Sequence, residues 1–171
     1  MASSFQGVMS HAGILVPVLE SNRALYRKAY NEHCHRIYSL AFWMTDHELV
    51  AEQLAARVFL RVFSTNVYSG AEQIDQAFLA EIREVVALEG LTLTTAVNAD
   101  APGLRGSVKR AHLERAVVQL PATEKLIFLL HDVEGYEHSR ICRLLEISQD
   151  ESRLGLHLAR LRVRELLGQI S

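Results

Sequence analysis

The sequence predicts an all-α protein built as two small helical modules joined by a linker. Apolar residues recur at three- and four-residue steps along nearly all of the chain, and strand-like alternation is missing from each of those stretches. A single segment gathering Thr, Asn, Pro and Gly, LTLTTAVNADAPGLRGS, interrupts the pattern. With 171 residues and 49% hydrophobic side chains, the chain can bury a core in each module. The expected segments are an N-terminal extension over 1–19, a helical bundle over 20–89, a linker over 90–107 and a helix-turn-helix domain over 108–171.

The first helix runs from Asn22 to Thr45, where Leu25, Tyr26, Tyr30, Ile37, Tyr38, Leu40, Ala41 and Phe42 keep helical spacing. Thr45-Asp46-His47-Glu48 fits a capping box, with the Thr hydroxyl and the Glu three residues on satisfying each other's end of the next helix. That helix carries Leu49, Val50, Leu54, Val58, Phe59, Val62 and Phe63. STNVYSG breaks the period, and a third helix from about Ala71 to Glu89 buries Ile74, Phe78, Leu79, Ile82, Val85 and Val86 before Gly90 ends it. The linker follows, with a short strand at LTLTT as its alternative. Period 3.6 then returns in four pieces, Val108 to Gln119, Ala122 to Val133 after Pro121, Glu137 to Leu145, and Gln149 to Gly168. The last two, on either side of a tight turn, have the form of a helix-turn-helix.

Net charge is −2, which argues against a strongly electrostatic nucleic-acid binder. The average hides an asymmetry, because Lys and Arg against Asp and Glu number 7 to 11 over residues 1–104 and 11 to 9 over residues 105–171. Two cysteines, Cys34 and Cys142, are too few for a disulfide framework and fit small thiols in a reducing cytoplasm. GILVPVL is far shorter than the roughly 20 apolar residues of a membrane span, so a soluble protein with no membrane contact is expected.

Specific stretches identify a family. LERAVVQLPATEKLIFLLHDVEGYEHSRICRLLEIS resembles region 4 of bacterial RNA polymerase sigma factors of the extracytoplasmic-function (ECF) group, with its Leu-Pro, aliphatic helix, "veG" and "L-g-I-S" in order. ALYRKAYNEHCHRIYSLAFWMTDHELVAEQLAARVFLRVF is similar to region 2 of the same group, and order and spacing match over about 140 of the 171 residues. The resemblance implies a dissociable promoter-specificity subunit and not an enzyme. Region 2 would hold the β′ clamp helices of core RNA polymerase and melt the −10 element, and region 4 would engage the β flap and read the −35 element of promoter DNA.

Carried over residue by residue, the resemblance leaves departures. Where the family's clamp-binding helix has an Asp and later a Gln-Glu pair, this chain has Gln53, Ala56 and Arg57 after the retained Ala51 and Glu52. The reversed charge at Arg57 can weaken or redirect docking. The polymerase-binding candidates are Glu52, Gln53, Arg57 and Arg61 on a module shaped by Leu54, Phe59 and Leu60. In the strand-melting segment Phe78 replaces Trp, and Glu84 and Val85 stand where the family has Arg and Asn, with Arg83 as a substitute cation.

The last helix divides into three stripes when its residues are placed at about 100° steps. Ser148 with Glu151 forms a second capping box, which accounts for the acids at the helix start. Leu156, Ala159, Val163, Leu166, Leu167 and Ile170 face the core. Arg153, His157, Arg160 and Arg164 form a basic stripe a quarter turn away and are the DNA-binding candidates, since Arg pairs with phosphate or bidentately with guanine. Leu154, Leu158 and Leu161 lie roughly opposite the core, as a face for an anti-sigma or other protein partner. The family commonly has Ser, Arg and a small residue at these three leucine positions and Arg also at the position of Gly155, so Gly155 and Leu158 stand where the family would reinforce the basic face.

Other groupings read as structural. His33, Cys34 and His35 are consecutive on a helix and point about 100° apart, so they do not close on a metal. His131, Asp132 and His138 lack a nucleophile or phosphate loop and read as surface polar residues, while Phe42, Trp43, Phe59 and Phe63 read as core. No cofactor is implied. The alternative to a sigma factor is a degenerate sigma-like adaptor or decoy that works through protein contacts with weak or no promoter binding.

Overall fold

The structure, a computed structural model, describes residues 12–64, 68, 70–91 and 110–170, with side chains from residue 23 to 169. It is all-α in that range: α1 (Ala12–Thr45), α2 (Glu48–Ser64), α3 (Ala71–Val85), α4 (Arg110–Val118), α5 (Ala122–Phe128) continued by a π-helical turn (Leu129–Val133), α6 (His138–Leu145) and α7 (Gln149–Ile170). The first three helices pack on one another as a bundle, and α4, α5 and α6 pack around α7. Most of the linker, including the alternative strand at LTLTT, lies outside the described residues.

One hydrophobic core cluster holds the helices. Toward its N-terminal half Ile37, Leu40 and Ala41 of α1, Leu54, Val58 and Val62 of α2 and Ile74, Phe78 and Ile82 of α3 are all buried. The same cluster takes in Leu126, Ile127, Leu129, Ile141, Leu156, Ala159, Val163 and Leu167. Each such side chain removed from water is worth about 1.5–3 kcal/mol before conformational entropy is subtracted. The aromatic expectation holds for Phe59, which is buried, and partly for Trp43 and Phe63, but Phe42 is exposed, as are Leu25 and Tyr30 of the predicted first stripe. Tyr30 still meets Phe59 edge-on with ring centroids 4.9 Å apart.

Helix boundaries depart from the sequence expectation at three places. The first helix begins at Ala12, not Asn22, so Pro17 sits in its second turn, where a missing N–H forfeits one backbone bond. Thr45 does not cap α2, because its hydroxyl donates to the Ala41 carbonyl one turn back at 2.8 Å. Asp46 then takes a left-handed conformation (φ 51°), and the imidazole of His47 accepts from the Val50 N–H at 3.4 Å. The cap therefore falls two residues later than the Thr-x-x-Glu pattern indicates. The third helix stops at Val85, four residues short of Glu89, because Val86 is already extended (φ −125°, ψ 123°). Val85 is exposed and Val86 only half-buried, so neither is the core residue expected.

Behind α3 the chain runs without regular secondary structure to Leu91, which packs on the core cluster. Thr123 at the start of α5 donates its hydroxyl to the Glu89 carbonyl. Lys125, buried on α5, donates its ammonium to the Val118 carbonyl at 2.6 Å and so closes the C-terminal end of α4. Its pKa is lowered by burial.

α6 ends at Glu146, a side-chain-bearing residue in the left-handed region (φ 61°). That conformation costs a non-glycine residue on the order of 1 kcal/mol. Glu146→Gly is therefore expected to stabilise the protein by about 1 kcal/mol, read as a rise of about 2–4 °C in Tm by circular dichroism.

Candidate nucleic-acid interface

The turn between α6 and α7 is built by local hydrogen bonding. The Ile147 N–H donates to the Cys142 carbonyl at 3.2 Å, and the chain then enters the Ser148 cap. Ser148 Oγ accepts from the Glu151 N–H at 3.1 Å, while the Ser148 N–H donates to Glu151 Oε2 at 2.8 Å. This is the reciprocal capping box, and the bonds from Ser148 hold the Glu151 carboxyl below its usual pKa. The first acids of α7 thus neutralise the helix start.

α7 rotates its faces largely as the helical wheel requires. Leu156, Ala159, Val163 and Leu167 are buried, Leu166 is half-buried, and the side chain of Ile170 lies outside the described residues. Arg153, His157, Arg160 and Arg164 are all exposed along one face. Leu154 is exposed, but Leu158 and Leu161 are half-buried, so the third stripe is partly covered by the protein itself.

Gly155 lies on the packed side of α7 and not on the basic face. It is buried, and a Cβ built there would lie 2.6 Å from Ile127 Cδ1 and 2.9 Å from Leu91 Cδ2. The helix needs hydrogen at this point so that α5 and the Leu91 segment can approach. Ser152 is likewise buried and holds its hydroxyl 2.8 Å from His138 Nδ1.

His131, Asp132 and His138 are not isolated surface polar residues. The π-helical turn carries Asp132 to α7, where its carboxylate accepts from Arg160 Nε at 2.9 Å and from Nη2 at 2.6 Å, a two-pronged pair. His131 Nδ1 lies 2.9 Å from the same carboxylate, and its ring packs 4.7 Å from that of His138. Partial desolvation pushes the Asp132 pKa up, but the bonds from Arg160 and His131 outweigh it and leave the carboxyl below its usual range. Burial, followed by the charge of His131 and neighbouring arginines, lowers the pKa of His138. Arg153 is loosely engaged, 3.3 Å from Gln149 Oε1 and 4.0 Å from Asp150.

On the first module Glu52 and Gln53 are exposed on α2, and Leu60 projects with 69% of its surface in solvent. A groove of about 670 Å3 runs beside them, lined by Tyr30, Tyr38, Glu52, Phe59, Leu60 and Phe63. Arg57 and Arg61 have a partner that sequence reasoning missed. Glu81 of α3, buried to 6% exposure, accepts from Arg57 Nε at 2.8 Å and from Arg61 Nη2 at 2.7 Å. The charge reversal at Arg57 thus has a structural counterpart in its own bundle. Arg83, Glu84 and Val85 are exposed at the end of α3.

Among the described residues no helix is long and apolar enough to cross a membrane, and no group of three His, Cys, Asp or Glu could hold a metal ion. Residues 110–163, which span α4 through most of α7, match the family model described as Sigma-70, region 4. No curated protein matches the chain.

Proposed function

We propose that the chain is an ECF-type sigma factor, a dissociable subunit that directs core RNA polymerase to promoters in the bacterial cytoplasm. The observation that carries this reading is a coincidence of two features. The stretch matching sigma-70 region 4 is the one whose helix-turn-helix presents Arg153, His157, Arg160 and Arg164 together in solvent. Arginines on an exposed face of a second helix suit phosphate and guanine contacts in a major groove. In this reading α2 engages the β′ clamp through Glu52, Gln53 and the neighbouring apolar groove, with Arg57 and Arg61 at its border. The second module contacts the β flap and reads the −35 element.

Run-off transcription with purified core polymerase, beside a core-binding titration, tests it. Core binding with promoter-dependent initiation is the expected result. Absence of core binding at low salt overturns it. Core binding without initiation would mark a sigma-like adaptor, a reading consistent with exposed Glu84 and Val85 at the strand-melting positions.

Arg160 meets DNA only by exchanging the Asp132 carboxylate for a phosphate or base edge. Asp132→Ala releases the guanidinium and removes a repelling charge. The expected outcome is about 3- to 10-fold tighter binding to a selected promoter duplex, with the slope of log K against log salt steeper by about one, measured by fluorescence anisotropy.

A further inference from the structure

The turn that closes α5 sets two consecutive polar side chains against the helix-turn-helix. Leu129–Val133 is π-helical, a wider and rarer turn than the α-helical one and frequent at functional sites. It ends with the Glu134 N–H on the Leu129 carbonyl at 3.0 Å, the Tyr136 N–H on the Leu130 carbonyl at 2.9 Å, and Gly135 in a left-handed bend (φ 70°). Asp132 on this turn has a side chain 22% exposed, and its carboxylate is shared. Arg160 of α7 donates from Nη2 to Oδ1 at 2.6 Å and from Nε to Oδ2 at 2.9 Å, while His131 Nδ1 lies 2.9 Å from Oδ1. One carboxylate thus stands between a permanent cation on the basic stripe and a side chain that becomes a cation by taking up a proton.

Behind His131 stands a second imidazole. The His138 ring centroid is 4.7 Å from that of His131, and His138 Nδ1 lies 2.8 Å from the hydroxyl of buried Ser152. The charged groups around the two rings are Asp132 on the turn, Glu137 at the start of α6, and Arg153 and Arg160 of α7. Burial, then the charges of His131 and Arg153, lower the pKa of His138. Two imidazolium rings this close repel, so the pair holds one proton, and the ring beside the carboxylate is the one placed to hold it. Arg160 cannot give the same two prongs to Asp132 and to DNA. A phosphate that takes the guanidinium leaves a half-covered carboxylate without its cation, which is costly. A proton from solvent on His131 restores an ion pair, and the arriving polyanion favours that proton further.

We infer that His131 is the positioning residue of this exchange: when a DNA phosphate takes Arg160, His131 gains one proton and receives the Asp132 carboxylate. The inference rests on the DNA-binding reading above. Imidazoles ordinarily titrate near pH 6.5, so above neutrality the proton is scarce, Arg160 stays with Asp132, and DNA is held by the rest of the stripe. Uptake of one proton per complex makes affinity fall as pH rises, by at most about tenfold per pH unit. His157, exposed on the same face of α7, is the other histidine whose charge would favour DNA, and it needs no Asp132 to act.

Fluorescence anisotropy with the full chain and a mixed-sequence DNA duplex at low salt, from about pH 6 to about pH 8, reads the exchange. The parent is expected to bind about 5- to 10-fold tighter at the acid end. His131→Gln keeps a donor for Asp132 but no charge, so it should bind throughout as the parent does at the alkaline end. His131→Lys carries the charge at every pH and should bind throughout as the parent does at the acid end. Asp132→Ala keeps His131 but has no carboxylate to pass on, so its binding should be tight and flat with pH. A pH response that survives both His131→Gln and Asp132→Ala, or that disappears in His157→Gln, overturns the exchange. Ring titration by nuclear magnetic resonance without DNA separates the exchange from the promoter reading. Arg160→Met leaves Asp132 to His131 alone, and the ring is expected to stay protonated to a pH about one unit higher than in the parent. No change there overturns the exchange. A rise there, with no DNA binding by the parent at any pH, would uphold the hand-over of the carboxylate and remove the promoter reading instead.

Discussion

Gly155→Arg is expected to cost about 3–5 kcal/mol, enough to unfold the second module at ambient temperature. Along the helix alone the change is favourable, since arginine is a better helix former than glycine by roughly 0.8 kcal/mol. Tertiary packing reverses the sign. The Cβ of any larger residue would fall 2.6 Å from Ile127 Cδ1 and 2.9 Å from Leu91 Cδ2, well inside contact distance. The rest of an arginine would then have to carry its charge between α5 and the Leu91 segment or pry them apart.

Gly155→Ala separates these effects. The two atoms it meets are the tips of flexible side chains, so a rotamer change absorbs part of the overlap while the helix gains propensity, and a net loss of about 1 kcal/mol or less is expected. Leu91→Ala in the same chain should relieve the clash, giving a positive coupling in a double-mutant cycle read by urea denaturation. An arginine variant as stable as the parent would mean that α7 is not seated on α5 as described. It would also return position 155 to the basic face.

The contrast between Gly155 and the stripes beside it explains what the sequence could and could not reveal. Helix identity and the direction of each stripe are local properties, fixed by a rotation of about 100° per residue, so the buried Leu156, Ala159 and Val163 and the exposed Arg153, His157, Arg160 and Arg164 were legible. The Ser148 box was legible for the same reason, its partners being three residues apart. Thr45 offered the same pattern but had a competing acceptor in the Ala41 carbonyl, and local patterns do not rank such alternatives.

What stayed hidden depends on residues distant in sequence. Glu81 answers Arg57 and Arg61 across the α2–α3 packing, Asp132 answers Arg160 across 28 positions, and Asp75 answers Arg140 across 65. Each looks like an ordinary surface acid until the helices are assembled. A mismatch with a family pattern therefore carried two meanings. At Arg57 it marks a new internal pair, and at Gly155 it marks a tight helix approach. At Gln53, Ala56, Glu84 and Val85 the departure instead lies in solvent.

Removing Arg153, Arg160 and Arg164 together as alanines is expected to weaken promoter DNA binding at least about 100-fold at moderate salt. Each arginine that neutralises a phosphate adds about 0.9 to the salt slope, so the triple replacement flattens log K against log salt by about 2.7 if all three touch the backbone. A fall in affinity with a smaller change in slope would assign part of the stripe to base edges, and specificity at those base pairs should then relax. Stability should hardly move, because Arg153 and Arg160 are half-exposed or more and exposed ion pairs are worth at most about 1 kcal/mol. Arg162 on the same helix is the control that distinguishes charge from position. Its guanidinium lies 2.7 Å from the Glu124 carboxylate, with side-chain exposures of 12% and 1%, so Arg162→Met breaks a buried ion pair and should lower stability while leaving the salt slope alone. DNA affinity that survives the triple replacement would take the basic stripe out of the interface, and with it the geometric support for a promoter reader.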